Sequence, residues 1–96
     1  MRDSNMRKEE IFADLKQFVT DIIGEDVVEE LDVNPQSIFT KDLEMDSIEI
    51  VSFAEKVREK YGEGIDFEVW LSSMEMDELI NLSLERIVNF IADAEN

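Results

Sequence analysis

One spacing occurs twice in the chain and restricts its fold more than any other feature. Ile11, Leu15, Phe18 and Ile22 follow one another at intervals of four, three and four residues, and Ile50, Ala54, Val57 and Tyr61 repeat those intervals further along. Such intervals line side chains along one face of an α-helix and would scatter them over both faces of a strand. Two amphipathic helices are therefore predicted, the first flanked by Phe12 and Val19 and the second by Ile48, Val51 and Phe53. Leu84, Ile87, Val88 and Ile91, with Phe90 beside them, predict a third. Nothing alternates at strand period for long, so the expected fold class is all-α, a small bundle of three principal helices plus one or two short helices.

The punctuation between these stripes agrees with them. Asp3, Ser4 and Asn5 are candidate N-caps for the first helix, and Gly24 is its stop signal. The acidic stretch GEDVVEELDVNPQSIFTKD holds the only proline, Pro35, and reads as a long connection, pinned to the core by Val27, Val28, Leu31, Ile38, Phe39 and Leu43. Asp46 as N-cap sets Glu49 at the third helical position, an Asp form of the capping box. Ser47 is then the first residue of a helix running to about Gly62. Ser72 and Glu75 suggest a second such box before a short helix, and Ser83 caps the last one.

Composition narrows what such a bundle can do. The chain has 96 residues, 44% of them hydrophobic, enough for one core, so residues 1–96 are expected to form a single domain. Its 25 acidic residues against nine basic ones give a formal charge of −16, which repels phosphate backbones and anionic membranes and attracts basic protein surfaces. No nucleic-acid or membrane partner is expected, and self-repulsion favours a monomer. Without cysteine or histidine there is no disulfide, no thiolate zinc site and no imidazole base. The N-terminus MRDSNMRKEE lacks an apolar signal region and no apolar run is long enough to cross a bilayer, so the expected location is cytoplasmic.

Ser47 therefore sits at a helix start with nothing obvious to activate it. An Asp-Ser-Ile or Asp-Ser-Leu triplet arises by chance in about one chain of this size in twenty, but here it stands in a longer pattern. The run FTKDLEMDSIEIVSFAEKVREKYG has an apolar residue four before the serine, a helix of matching stripe and an aromatic-Gly ending. In this it resembles the acyl carrier protein family, whose members carry 4′-phosphopantetheine on the serine of that triplet. The likeness extends over most of the chain, through the stretch Asn-Pro-Gln-Ser-Ile before the motif helix and Leu82-Ser83-Leu84 before the last.

The resemblance implies an acyl carrier domain with Ser47 as the covalent attachment point and Asp46 as its motif partner and helix cap. A helix start favours a phosphodiester by about 0.3–1 kcal/mol when exposed, although Asp42, Glu44, Asp46 and Glu49 oppose it. An unactivated serine must be modified by a protein that brings its own base and metal, which the resemblance names as a phosphopantetheinyl transferase using coenzyme A. The arm's thiol then forms thioesters, supplying the sulfur the chain lacks. Non-catalytic itself, the carrier would present acyl groups to acyl-transferring or acyl-activating enzymes with basic patches.

Between Gln17 and Glu55 lie eleven acidic residues and one basic residue, Lys41. Asp42, Glu44, Glu49, Glu55 and Glu59 are the candidate recognition residues. Lys56, Arg58 and Lys60 dilute the acidity of the far half of the motif helix. For a sheltered acyl chain the available apolar residues are Phe53, Val57, Phe67, Trp70, Leu71, Leu79 and Leu84, with Met74 and Met76 as adaptable wall.

Two departures from the family pattern stand out. Glu44 occupies a position usually held by glycine, so a different path for the loop is expected. The segment between Tyr61 and Leu84 looks longer than usual and shows Ile65-Asp66 in place of Ile-Pro, which points to a specialised carrier of a polyketide, modified fatty acid or lipopolysaccharide pathway and not to the housekeeping one. Two rival readings have some support in the residues. Asp42, Glu44 and Asp46 have the opening spacing of a calcium loop, but Ser47 stands where its glycine and Phe53 where its closing glutamate belong. The other is a non-catalytic acidic helical adaptor or mimic in which Ser47 is only a helix start.

Overall fold

A computed structural model describes residues 4–62 and 67–95 of the protein. Three principal helices form as the spacings predict: α1 (Ser4–Ile23), α3 (Ser47–Tyr61) and α6 (Leu84–Ala94). Three short ones lie between them: α2 (Glu25–Leu31), α4 (Phe67–Ser72) and α5 (Met76–Ile80). Among the described residues there is no strand, only one antiparallel bridge between Ile38 and Ser83. The all-α expectation holds, with one short helix more than expected. Of the residues expected to cap α1, Asp3 lies outside the described residues, and Ser4 and Asn5 are already within the helix.

α1 packs against both α3 and α6. Its fully buried line is Ile11, Leu15 and Val19, while Phe12, Phe18 and Ile22 are half-buried beside it. α3 contributes Phe53, Ala54 and Val57, and α6 contributes Leu84, Ile87, Val88, Ile91 and Ala92. The ends of α1 and α6 are tied by Arg7, whose Nε donates to Glu95 Oε1 at 2.7 Å.

The connection after Gly24 is not irregular throughout. Gly24 takes a φ of 98°, which ends α1, and the chain then starts a new helix, α2, with Glu25 and Asp26 in the first turn, where the helix dipole favours acids. Val28 anchors α2 in the core, whereas Val27, expected to help, is 40% exposed. The stretch after α2 serves α6. The carbonyls of Ser37 and Pro35 accept from the N–H groups of Leu84 at 3.1 Å and Glu85 at 2.8 Å, and Ser83 Oγ accepts from Arg86 N at 3.3 Å. The first amides of α6, which have no partner within the helix, are satisfied in this way. The Asn-Pro-Gln-Ser-Ile stretch is therefore the socket in which α6 begins.

Between α3 and α6 the boundaries differ from expectation. Ser72 ends α4 and does not cap α5, whose N-cap is Glu75 with no side-chain bond. Ile65 and Asp66 lie outside the described residues.

Tyr61, at the end of α3, donates its hydroxyl to Asp14 Oδ2 on α1 at 2.7 Å. Burial, then this bond to a carboxylate, both disfavour the phenolate and push its pKa well above the ordinary value. An unfolded tyrosine ionises near pH 10, about the usual value. The folded state thus holds a proton that the unfolded state releases, a contribution fully present below about pH 10 and lost as pH rises beyond it. Tyr61 is the only tyrosine in the chain. Its phenolate absorbance is expected to appear together with loss of helical signal in an alkaline titration, and ionisation ahead of unfolding would show that the Asp14 contact does not hold in solution.

Candidate cofactor attachment site

The start of α3 is fixed by reciprocal backbone capping. Asp46 Oδ1 accepts from Glu49 N at 2.9 Å, and Glu49 Oε1 accepts from Asp46 N at 3.1 Å. This is the capping box expected from the sequence. Ser47 follows as the first helical residue, and its side chain is exposed. One oxygen of each carboxylate, Asp46 and Glu49, is thus taken up by the backbone N–H of the other residue.

The loop before it is held just as firmly. Asp42 Oδ2 accepts from Ile38 N at 2.8 Å, Leu43 N donates to Ile38 O at 3.1 Å, and Met45 N donates to Phe39 O at 2.9 Å. Two of the three carboxylates with calcium-loop spacing, Asp42 and Asp46, thus bind backbone amides. Leu43 and Met45 are 2% and 4% exposed, with the exposed Glu44 between them. To bury both neighbours and reach the Phe39 carbonyl, Glu44 adopts a φ of 51°. The expected alternative path is not taken: Glu44 enters the left-handed region that glycine favours. That conformation costs a side-chain-bearing residue about 1–2 kcal/mol, while glycine would add freedom to the unfolded chain worth about 0.5–1 kcal/mol. Glu44→Gly is expected to stabilise the fold by about 0.5–1 kcal/mol in urea denaturation. A loss of stability would mean that the Glu44 side chain holds the loop.

Beneath Ser47 lies a cavity of about 360 Å³. Its inner wall is Phe39, Phe53 and Phe67, all at most 2% exposed, closed further by Leu82 and Ile87. Ser47, Ile50 and Val51 from α3 and Leu71 from α4 line it as well, and Met76, Leu79 and Ile80 of α5 form the outer side. Four of the seven residues expected to shelter an acyl chain, Phe53, Phe67, Leu71 and Leu79, do line it. The other three do not. Val57 and Leu84 are fully buried in the bundle core, and Trp70 turns away to stack on Phe90, with ring centroids 4.3 Å apart. Of the two methionines, Met76 is on the wall and Met74 is not.

Sequence reasoning missed Ile50 and Val51, yet they stand three and four residues after Ser47, the spacing that puts side chains on the same helix face. Met76 and Ile80 are likewise four apart on α5. Four of the residues around Ser47 are apolar and exposed: Ile48 at 76%, Val51 at 58%, Met76 at 70% and Ile80 at 40%. Among the candidate recognition residues, Asp42, Glu44, Glu55 and Glu59 are exposed and Glu49 is half-buried. Glu55 shares a shallow surface hollow with Ser47, Ile48, Val51 and Ser52. Glu59 lies one turn beyond it on α3.

A helical bundle that offers an exposed hydroxyl at a helix start, above an apolar cavity, has the form of a small helical carrier domain. The family model described as the phosphopantetheine attachment site matches residues 13–82, and the chain belongs to that family. It is consistent with an acyl carrier protein, and the cofactor of the family is covalently attached 4′-phosphopantetheine. Carrier domains of this family are generally non-catalytic and are modified by a phosphopantetheinyl transferase. No curated protein and no solved structure matches the chain. Among the described residues, no helix is long and apolar enough to cross a membrane.

Proposed function

We propose that Ser47 is the attachment residue and that the 96 residues form one carrier domain, which bears acyl groups as thioesters on its 4′-phosphopantetheine arm. The observation that carries this reading is the position of Ser47, exposed at the first turn of α3 and lining the mouth of an apolar cavity. An outside enzyme can reach the hydroxyl, and a tethered chain can reach the interior. The carrier serves acyl-transferring or acyl-activating enzymes of a lipid, lipopolysaccharide or polyketide pathway, working as a monomer in the cytoplasm.

Partner docking on this reading combines apolar and acidic surface. Ile48 and Val51 supply an apolar centre next to the serine, and Asp42, Glu44, Glu55 and Glu59 supply a negative rim that steers basic patches toward it. Incubation with coenzyme A and a broad-specificity transferase, followed by intact mass and peptide mapping, tests the assignment. One pantetheine arm on the peptide containing Ser47 supports it. An unmodified chain, or an arm on another serine, overturns it.

A further inference from the structure

This inference rests on Ser47 being the tether. We propose that Met76 is a reversible oxidation site: hydrogen peroxide converts it to the sulfoxide on the folded chain, and the oxidised carrier is a poorer substrate for proteins that dock around Ser47.

The chain has no cysteine, so its five methionines are the only sulfurs it encodes. Their surroundings differ. Met45 is 4% exposed in the loop before Ser47, Met74 is half-buried against the core, and Met1 lies outside the described residues. Met6 and Met76 are open to solvent, at 61% and 70%. Met6 belongs to α1, whereas Met76 lines the same cavity as Ser47. It is the first residue of α5, a helix of five residues with none buried and no side-chain bond at its N-cap. A sulfoxide can therefore form there without entering the core, which the same change at Met45 would require. The neighbouring carboxylates of Glu75, Asp77 and Glu78 are exposed and repel anionic oxidants, so neutral hydrogen peroxide is the reagent that approaches unhindered.

In the reaction the Met76 sulfur gives an electron pair to one peroxide oxygen as the O–O bond breaks. The S–O bond forms, the sulfur is oxidised and the peroxide reduced, and the second oxygen takes the transferred oxygen's proton and leaves as water. Methionine sulfoxide reductases reverse the change: two thiols of a dithiol become a disulfide, and the oxygen leaves as water. The consequence follows from position. Met76 and Ile80, with Ile48 and Val51 of α3, form the exposed apolar surface around Ser47. A flexible apolar thioether suits a contact surface, and its sulfoxide is polar and chiral. A partner that covers it must strip a strong acceptor oxygen of its water, which weakens productive docking by about three- to tenfold.

The test treats the full chain, before it carries an arm, with hydrogen peroxide, removes the excess with catalase, and follows each methionine by peptide mass and the fold by circular dichroism. Met76 is expected to gain its oxygen at least as fast as Met6, with Met45 slower by at least about tenfold, because peroxide reaches it only through local opening. Transfer of the arm from coenzyme A by a broad-specificity transferase is then expected to show kcat/KM lowered by about three- to tenfold, and to recover after treatment with the reductases for both sulfoxide epimers and a dithiol. Met76→Leu, compared with its own untreated form, is expected to lose this response, and Met6→Leu to keep it. Oxidation of Met76 as slow as that of Met45, loss of helical signal on oxidation, undiminished transfer to the sulfoxide, or an equal response in Met76→Leu would each overturn the oxidation proposal while leaving the tether intact. An untreated chain that takes no arm would overturn the tether and the docking effect with it.

Discussion

Ser47→Ala is expected to lose the pantetheine arm completely while keeping the fold. The two effects separate because the hydroxyl has no structural duty. Ser47 is the first residue of α3, not its cap, and the cap bonds run between Asp46 and Glu49. Its side chain is exposed, and alanine is the best helix former, so stability should stay within about 0.5 kcal/mol of the parent. On the proposed assignment modification by contrast is all or none, since transfer would form its bond to that single oxygen. The measurement pairs intact mass after incubation with coenzyme A and transferase with a urea unfolding curve. An alanine variant that still gains one arm would mean that another serine is the acceptor; a variant that loses both arm and fold would mean that the hydroxyl is part of the helix start.

What the sequence made legible, and what it did not, divides along physical lines. The three long helices were visible because each buries one face continuously, and burial leaves its period in the residues. Their ends were visible where a terminus depends on one side chain or one glycine: Asp46 with Glu49, Ser83, Gly24 and Gly62 all stand where expected. The helix α2 was hidden because seven residues, EDVVEEL, carry barely two turns of pattern, and only Val28 among them is buried. A helix that short is held by tertiary packing, not by its own preference. The conformation of Glu44 was misjudged for a related reason. Its φ is dictated by Leu43 and Met45 sinking into the core on either side, which outweighs the preference of a single residue.

The cavity shows the limit of periodicity most clearly. Phe53, Val57 and Leu84 are all buried, and the pattern of α3 and α6 gives each an inward position. Whether an inward side chain faces another side chain or an unfilled space depends on how α4 and α5 are set against α3, and that is written in no local repeat. Val57 and Leu84 meet core, whereas Phe53 meets both core and cavity. The start of α3 was legible because its cap, Asp46 with Glu49, and the helix behind it are written in consecutive residues.

That double duty makes Phe53→Ala the most destabilising single substitution expected at this site. Phe53 is 1% exposed, and its ring meets three others on three different segments: Phe18 of α1 at 6.2 Å, Phe39 of the loop at 4.9 Å and Phe67 of α4 at 6.4 Å. Truncation to alanine removes those contacts and opens the void into the existing cavity, where no neighbour is placed to fill it. The cost expected for such a loss is about 3–5 kcal/mol. A domain of this size is stable by about 5–15 kcal/mol in all, so the variant should lie near the edge of folding, with a thermal midpoint lowered by about 15–25 °C. Phe53→Leu keeps most of the volume and should cost under about 1.5 kcal/mol. Urea unfolding of both variants gives the comparison. If alanine cost no more than leucine, α1, the loop and α4 would be joined through some other contact, and the inner wall of the cavity would not be the rigid surface that the ring geometry describes.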